Sequence, residues 1–213
     1  ILALDVDSFR KAKYFVDKLY PRVKIFKVGL QLFTTCGARA IELIHKKKAE
    51  VFLDLKLMDI PNTVASAVRA AVKCKVKMLT LHISGGEEMI KAAVAAAKDE
   101  ARLFKVRRPL LLGVTVLTSQ KSSPGNVLKL ARLGLAWGLD GVVCSARETA
   151  FLRKNIKAKF LIITPGIRPS GSVGDDQKRT LTAKEALRSG SDFLVVGRPI
   201  LKAQDPIKAL KEL

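Results

Sequence analysis

The sequence is poor in the side chains that build metal sites and disulfide scaffolds. Only three cysteines and two histidines occur in 213 residues. Cys36, Cys74 and Cys144 form no CxxC pair, and His45 and His82 do not have the spacing of metal ligands. A zinc site or a disulfide framework is therefore disfavoured, and we expect a reducing, cytoplasmic environment.

Long apolar runs and aromatic side chains are also scarce. No run approaches the roughly 18 consecutive apolar residues of a membrane-spanning helix, and no segment has the pattern of a secretory signal. Aromatic residues make up 6% of the chain, which leaves few platforms on which nucleic-acid bases can stack. We therefore expect no membrane partner and no nucleic-acid partner.

Acidic residues are strongly outnumbered by basic ones. The 39 lysines and arginines against 19 aspartates and glutamates give a net charge of +20, an excess typical of nucleic-acid-binding proteins. The basic residues are spread over the whole chain, mostly on helical segments, so a lysine-rich solvated surface is the preferred interpretation. Part of the charge can also steer an anionic substrate. A basic, non-catalytic nucleic-acid-binding barrel is the alternative.

Short apolar segments alternate with amphipathic segments along the whole chain. Apolar strands separated by helices indicate a parallel sheet covered on both faces. Eight such units predict a closed (β/α)8 TIM barrel of the α/β class, with residues 1–213 as a single catalytic domain. An open, doubly wound sheet is less favoured, because no GxGxxG motif follows the first strand. The predicted strands are Ile1–Leu4, Ile25–Val28, Val51–Leu53, Met78–Leu81, Leu110–Val116, Gly141–Cys144, Phe160–Ile163 and Phe193–Val196.

Several helix starts can be identified from the sequence. Ser145 with Glu148, and Thr182 with Glu185, have the spacing of capping boxes. Asp205 is followed by proline, the pattern of an N-cap before a first helical turn. Helices are therefore predicted to begin after these three capping residues.

Charged residues gather at the predicted C-terminal strand ends, where TIM barrels perform their chemistry. Asp54 and Lys56 are two residues apart at the end of the third strand, so both side chains should face the barrel interior. A buried carboxylate beside a buried ammonium must be paired. Lys27 on the second strand supplies another cation, and Asp59 follows in sequence. The resulting Lys–Asp–Lys–Asp array would keep all four groups charged.

A salt-bridge network that only closes the barrel mouth is the alternative interpretation of this array. Buried ion pairs contribute little to stability, and perturbed charges at the catalytic face of a barrel are typical of function. The array is therefore predicted to be catalytic.

The run DLKLMDIPNTV at 54–64 resembles the signature of the orotidine 5'-monophosphate decarboxylase family. Further matches to that family occur in the expected order along essentially the whole chain, which makes the resemblance specific. They are LALDV at 2–6, KVGLQLF at 27–33, HISGG at 82–86, VTVLTS at 114–119, GLDGVVCS at 138–145, TPGIRP at 164–169, DQKRTLT at 176–182 and VVGRPI at 195–200.

The resemblance implies a role for each matching residue. Lys56 would protonate C6 of the pyrimidine, Asp54 would lie beside the scissile carboxylate, and Lys27 would contact Asp54 and the ribose. Asp59 and Thr63 would reach into the neighbouring subunit's site, which implies a homodimer. No metal and no cofactor are implied. The other implied substrate-binding residues are Asp5 at a ribose hydroxyl, Thr118 and Ser119 at the base, Pro165 lining the site, Arg168, Gln177, Gly197 and Arg198 at the phosphate, and Ile60.

Magnesium-dependent sugar-phosphate barrels, such as 3-keto-L-gulonate 6-phosphate decarboxylase and hexulose phosphate synthase, are the nearest enzyme alternative. They share an Asp-x-Lys-x-x-Asp motif. Met58 is a departure from the orotidine family, in which histidine or an aromatic residue is common at this position, and it makes the chain more similar to the magnesium-dependent barrels. They place a magnesium-binding glutamate where this chain has Lys27, and a cation cannot ligate Mg²⁺. The nucleotide enzyme is also favoured by the run Ile60-Pro61-Asn62-Thr63 and by Gln177. The resemblance therefore implies cofactor-free decarboxylation of orotidine 5'-monophosphate in pyrimidine biosynthesis.

Overall fold

Eight parallel β-strands pair in the order in which they occur along the chain. The structure, a computed structural model, describes residues 1–117, 120, 122–168 and 181–213. Leu2 pairs with Val196, which brings the two ends of the sheet together and confirms the predicted TIM barrel. The strands are β1 (Leu2–Ala3), β2 (Ile25–Gly29), β3 (Glu50–Leu57), β4 (Met78–His82), β5 (Leu110–Val114), β6 (Gly141–Val143), β7 (Leu161–Pro165) and β8 (Phe193–Val195).

Helices alternate with these strands and pack their apolar faces on the outside of the barrel. None of the helices in the described parts of the chain is long and apolar enough to cross a membrane. The helices are α1 (Phe9–Leu19), α2 (Leu30–Cys36), α3 (Arg39–Lys46), α4 (Pro61–Lys73), α5 (Glu87–Leu103), α6 (Pro124–Ala136), α7 (Ala146–Asn155), α8 (Ala183–Arg188), α9 (Arg198–Leu201) and α10 (Pro206–Lys211).

The predicted helix starts are confirmed. Ser145 and Thr182 form reciprocal capping boxes with Glu148 and Glu185 at the beginnings of α7 and α8. The Asp205 carboxylate accepts hydrogen bonds from the first backbone N–H groups of α10. Local capping chemistry therefore determines where these helices begin.

The strand boundaries differ from the prediction most clearly in β3. The predicted segment ends at Leu53, but the observed strand continues to Leu57 and includes the charged residues Asp54 and Lys56. The prediction relied on apolar character, which stops at Leu53. The charged residues stay in the strand because they are paired with each other and with β2.

An apolar layer fills the middle of the barrel. Its buried members are Ala3, Phe52, Met78, Leu112, Ile163 and Val195. Side chains on a strand face the interior at every second residue, so the interior position after each member lies one layer nearer the C-terminal mouth. Asp5, Asp54 and Thr80 occupy three of these positions. Charged groups therefore lie directly on an apolar floor.

Candidate active site

A chain of ion pairs crosses the barrel mouth from β1 to β3. Lys27 Nζ lies 3.1 Å from Asp5 Oδ1 and 3.3 Å from Asp54 Oδ2. Lys56 Nζ lies 2.8 Å from Asp54 Oδ1. The side chains of Lys27 and Asp54 are only 11% and 12% exposed, whereas that of Lys56 is 29% exposed. Lys56 is therefore the ammonium of this array that is more open to the mouth.

The backbone of β3 is irregular where it presents Lys56. The register with β4 shifts between Leu53 and Leu57, and Lys56 has a φ of +51°. A left-handed conformation costs a residue with a Cβ about 1–2 kcal/mol. The alternation of side chains along a regular strand predicted that Asp54 and Lys56 would lie on the same side. The two side chains are paired, but the backbone at Lys56 departs from regular strand geometry.

Burial and charge act in opposite directions on the array. Burial alone would raise the pKa of Asp54, but the ammonium groups of Lys27 and Lys56 and hydrogen bonds from Lys56 and Thr80 hold that pKa below its ordinary value. Burial alone would lower the pKa of Lys27, but the Asp54 and Asp5 carboxylates raise it above its ordinary value. Both groups are therefore charged at neutral pH.

These shifts predict how the array contributes to stability across pH. The folded-state pKa of Asp54 is lower than its ordinary value of 3.8, so the contribution of its charge to stability is complete above about pH 5 and disappears as the pH falls through the lowered pKa. The folded-state pKa of Lys27 is raised above 10.5, so its contribution is present below that pH and disappears as the pH rises further. His82 is the last residue of β4, and its partial burial and the charge of Lys56 hold its pKa below the ordinary value of 6.5.

We expect Asp54→Asn to destabilise the protein at pH 7 and to have a smaller effect at pH 3, which lies below the ordinary pKa of 3.8. Asparagine approximates the protonated carboxyl group, so the variant already lacks the charge that wild-type protein loses in acid. Urea unfolding of both proteins at the two pH values measures the difference. An equal difference at pH 3 and pH 7 would contradict the lowered pKa of Asp54.

A cavity of about 220 Å³ opens above the array. Val114, Val143 and Ile163 contribute apolar walls, and the cationic residues Arg168 and Arg198 are also part of its lining. The cavity therefore combines the ion-pair chain on one side, apolar walls, and two cations, Arg168 in the segment after β7 and Arg198 at the start of α9. This combination suits an anionic ligand with a flat apolar part.

Gly197 lets the β8 end approach β1 closely. A Cβ at this position would lie 3.3 Å from the Cβ of Ala3 and 3.5 Å from Asp5 Oδ2. The contact with Ala3 would be tighter than usual, whereas the contact with the Asp5 carboxylate would be an ordinary van der Waals one. Glycine at this position therefore avoids a tight contact with Ala3 on the cavity wall.

The structure brings together most of the residues predicted for the site. The cavity is lined by Asp5, Lys27, Asp54, Lys56, Pro165, Arg168, Gly197 and Arg198, all of them predicted. The predictions for Thr118, Ser119 and Gln177 fall outside the described residues. Sequence reasoning missed Thr80, which is wholly buried and hydrogen-bonded to Asp54. Its only signal was a polar residue at an interior position of an apolar strand.

Asp59, Ile60 and Thr63 do not line this cavity. Asp59 is exposed and accepts a hydrogen bond from the Ile60 N–H at 2.6 Å, and Thr63 is exposed on α4. Asp59 and Ile60 instead line a second, open cavity of about 960 Å³ with Met58 and residues 84–89. Within one chain, the fourth member of the predicted charge array therefore lies apart from the other three.

The described parts of the chain contain no cluster of three His, Cys, Asp or Glu side chains that could hold a metal ion. The carboxylates of the site, Asp5 and Asp54, both face Lys27. The charge on each is therefore compensated by an ammonium group.

The whole chain, residues 1–213, matches the model of the family described as orotidine 5'-phosphate decarboxylase / HUMPS. The chain belongs to this family. It is 45% identical to orotidine 5'-phosphate decarboxylase from Vibrio cholerae over 224 residues, covering all of this chain and 95% of that protein. It is 42% identical to the enzyme of the same name from Moorella thermoacetica, covering all of this chain and 89% of that protein.

A solved family structure has the same architecture. The crystal structure of orotidine 5'-phosphate decarboxylase from Lactobacillus acidophilus superposes with a TM-score of 0.85 at 36% identity, covering 99% of this chain and 94% of that chain. The family assignment and the barrel therefore agree from sequence and from structure.

Proposed function

We propose that this chain decarboxylates orotidine 5'-monophosphate to uridine 5'-monophosphate, as a cofactor-independent lyase of pyrimidine biosynthesis, with residues 1–213 acting as one catalytic domain. The observation that carries the proposal is the Lys27–Asp54–Lys56 ion-pair chain at the floor of a cavity whose lining includes Arg168 and Arg198. Family membership and the names of the relatives support it. The loss of orotidine 5'-monophosphate absorbance on addition of the protein tests it.

Lys56 is the proposed proton donor. When CO2 leaves C6 of the pyrimidine, the electron pair of the broken bond stays on C6 in an sp² orbital that the ring does not delocalise well. A fixed ammonium stabilises that charge and then transfers a proton to C6. The resulting neutral amine regains a proton from water after product release. The greater exposure of Lys56 than of Lys27 supports this division of roles.

Asp54 and Lys27 prepare the site for this step. Asp54 holds the Lys56 ammonium at 2.8 Å and is proposed to lie beside the scissile carboxylate, whose charge it repels until CO2 leaves. Lys27 keeps Asp54 ionised from its other side and is proposed to contact the ribose. Asp5, which pairs with Lys27, is proposed to bind a ribose hydroxyl.

The phosphate is proposed to bind at the side of the cavity formed after β7 and β8. Arg168 and Arg198 would form charge-assisted hydrogen bonds with it, helped by Gly197 and Gln177. Thr118 and Ser119 would hold the base, and Pro165 would line the site. Phosphate binding is remote from C6, so its energy can hold the reacting carbon against Lys56.

We expect Arg198→Ala to raise the dissociation constant of uridine 5'-monophosphate roughly 10- to 100-fold, because a charge-assisted hydrogen bond to phosphate is removed. Binding of uridine, which has no phosphate, should stay the same. Calorimetric titration with both compounds measures the contrast. Arg102→Ala is the control, since Arg102 is an exposed arginine on α5 that pairs with Asp99. If Arg198→Ala raised the dissociation constants of both compounds equally, Arg198 would not be a phosphate-binding residue.

A homodimer with shared active sites is proposed from the position of Asp59. Met58 and Ile60, on either side of it, are large apolar residues that are 56% and 67% exposed. Apolar exposure of this kind beside an open cavity is typical of an interface. A second copy of the chain would cover these residues and bring Asp59, Ile60 and Thr63 to its partner's array.

We also propose a cytoplasmic location, because the three cysteines form no CxxC pair and do not suggest a disulfide framework.

The magnesium-dependent sugar-phosphate alternative is disfavoured by the second strand. Lys27 Nζ, not a carboxylate, faces Asp54 at 3.3 Å. A bound Mg²⁺ beside Asp54 would have to displace or repel this ammonium. Strict dependence of turnover on magnesium would reverse this preference.

A further inference from the structure

Thr80 is a polar residue of β4 that is hydrogen-bonded to the array. It occupies the third position of the strand and has no exposed surface. It follows Met78 of the apolar floor by two residues, so its side chain faces the barrel interior next to β3. A wholly buried hydroxyl at this depth must make hydrogen bonds.

The Thr80 hydroxyl links the backbone of Lys56 to the side chain of Asp54. It accepts a hydrogen bond from the Lys56 N–H at 2.9 Å and donates one to Asp54 Oδ1 at 3.0 Å. The direction is unambiguous, because a backbone N–H can only donate and an ionised carboxylate can only accept. The same Asp54 oxygen also receives the Lys56 ammonium at 2.8 Å. Thr80 therefore holds the backbone of Lys56 and the carboxylate of Asp54 through a single hydroxyl group.

The backbone hydrogen bond falls where regular strand pairing is interrupted. The β3–β4 register shifts between Leu53 and Leu57, and Lys56 has its left-handed backbone within that interval. The Thr80 hydroxyl supplies the acceptor for the Lys56 N–H there. Without it, a strained residue would have a poorly satisfied N–H, and the irregularity that points Lys56 toward Asp54 would lose a support.

We infer that Thr80 is a positioning residue for the proton donor: its hydroxyl fixes the backbone of Lys56 and orients the Asp54 carboxylate, and so sets where the Lys56 ammonium lies. This inference rests on the proposed decarboxylation. Thr80 acts through Lys56 and Asp54 and is not assigned a contact with substrate. Its loss should therefore affect the chemical step more than nucleotide binding, because a displacement of about 1 Å at a reacting group is enough to slow a reaction greatly.

Thr80→Val tests the inference, since valine has nearly the shape of threonine and lacks the hydroxyl. We expect kcat for orotidine 5'-monophosphate to fall roughly 10- to 100-fold, the effect of losing hydrogen bonds to a charged group. The dissociation constant of uridine 5'-monophosphate should stay within about threefold. Thr80→Ser restores the hydroxyl and should keep kcat within about threefold of wild type. Thr80→Ala gives the same readout if the valine variant does not fold.

Thr164→Val is the matched control. Thr164 is also a wholly buried strand threonine, but its hydroxyl is 2.6 Å from Ser191 Oγ, away from the array. Its replacement should lower the thermal unfolding temperature and leave kcat unchanged. A wild-type kcat in a folded Thr80→Val or Thr80→Ala variant overturns the inference, as does a serine variant that is as impaired as the valine variant. A wild-type protein that does not turn over orotidine 5'-monophosphate overturns the proposed function instead.

Discussion

Lys56→Ala is expected to lower kcat for decarboxylation of orotidine 5'-monophosphate by about 10⁴-fold or more, since it removes both the proton donor and the cation that stabilises negative charge on C6. Binding of uridine 5'-monophosphate should change by no more than about tenfold. The phosphate and the ribose are held by other residues, so the complex still forms. Single-turnover kinetics together with calorimetric titration measures the two quantities separately.

Lys77→Ala is the control for this experiment. Like Lys56, Lys77 is a partly buried lysine in an ion pair, but it lies just before β4 and pairs with Glu50 at the start of β3, at the opposite end of the strand from the array. Its replacement should lower stability without a comparable loss of kcat. If Lys56→Ala retained a substantial fraction of wild-type kcat, another group would have to be the proton donor.

Mixing Lys56→Ala chains with Asp59→Ala chains is expected to restore activity that neither variant has alone. If Asp59 serves the partner's site, a mixed dimer contains one site with wild-type residues from both chains. Random pairing of equal amounts then gives about one quarter of the wild-type activity. Steady-state turnover of a co-refolded or co-expressed mixture measures the recovery, and two different affinity tags verify that mixed dimers form.

A mixture of Lys56→Ala and Asp54→Ala chains is the matched control. Both residues line the same chain's cavity, so each site of a mixed dimer still lacks one of them. No recovery is expected. The absence of recovery in the first mixture, with mixed dimers present, would mean that Asp59 does not act across an interface.

The barrel itself could be predicted because its signals are local. Strand and helix patterns depend on only a few neighbouring residues, and so does helix capping. The structure confirms the helix starts predicted from the capping residues Ser145, Thr182 and Asp205. The end of β3 could not be predicted in this way. Asp54 and Lys56 remain in the strand because of their pairing with each other and with Lys27 on β2.

The details of the site depend on contacts between distant parts of the chain. Lys56 has a left-handed backbone conformation, and its N–H donates a hydrogen bond to Thr80, 24 residues away. No local sequence pattern indicates either feature. Thr80 itself was missed because threonine is an ordinary strand residue. The separation of Asp59 from the array was also invisible in the motif, which places Asp59 only three residues after Lys56.

Turnover of orotidine 5'-monophosphate by the purified wild-type chain, measured with and without EDTA, tests the central claim most directly. The ion-pair chain of Lys27, Asp54 and Lys56 is proposed to supply both charge stabilisation and the proton. We therefore expect the absorbance of orotidine 5'-monophosphate to decay at the same rate in both conditions, with one uridine 5'-monophosphate formed per CO2 released. No turnover by the wild-type protein, or turnover that stops with EDTA and returns with Mg²⁺, would contradict it.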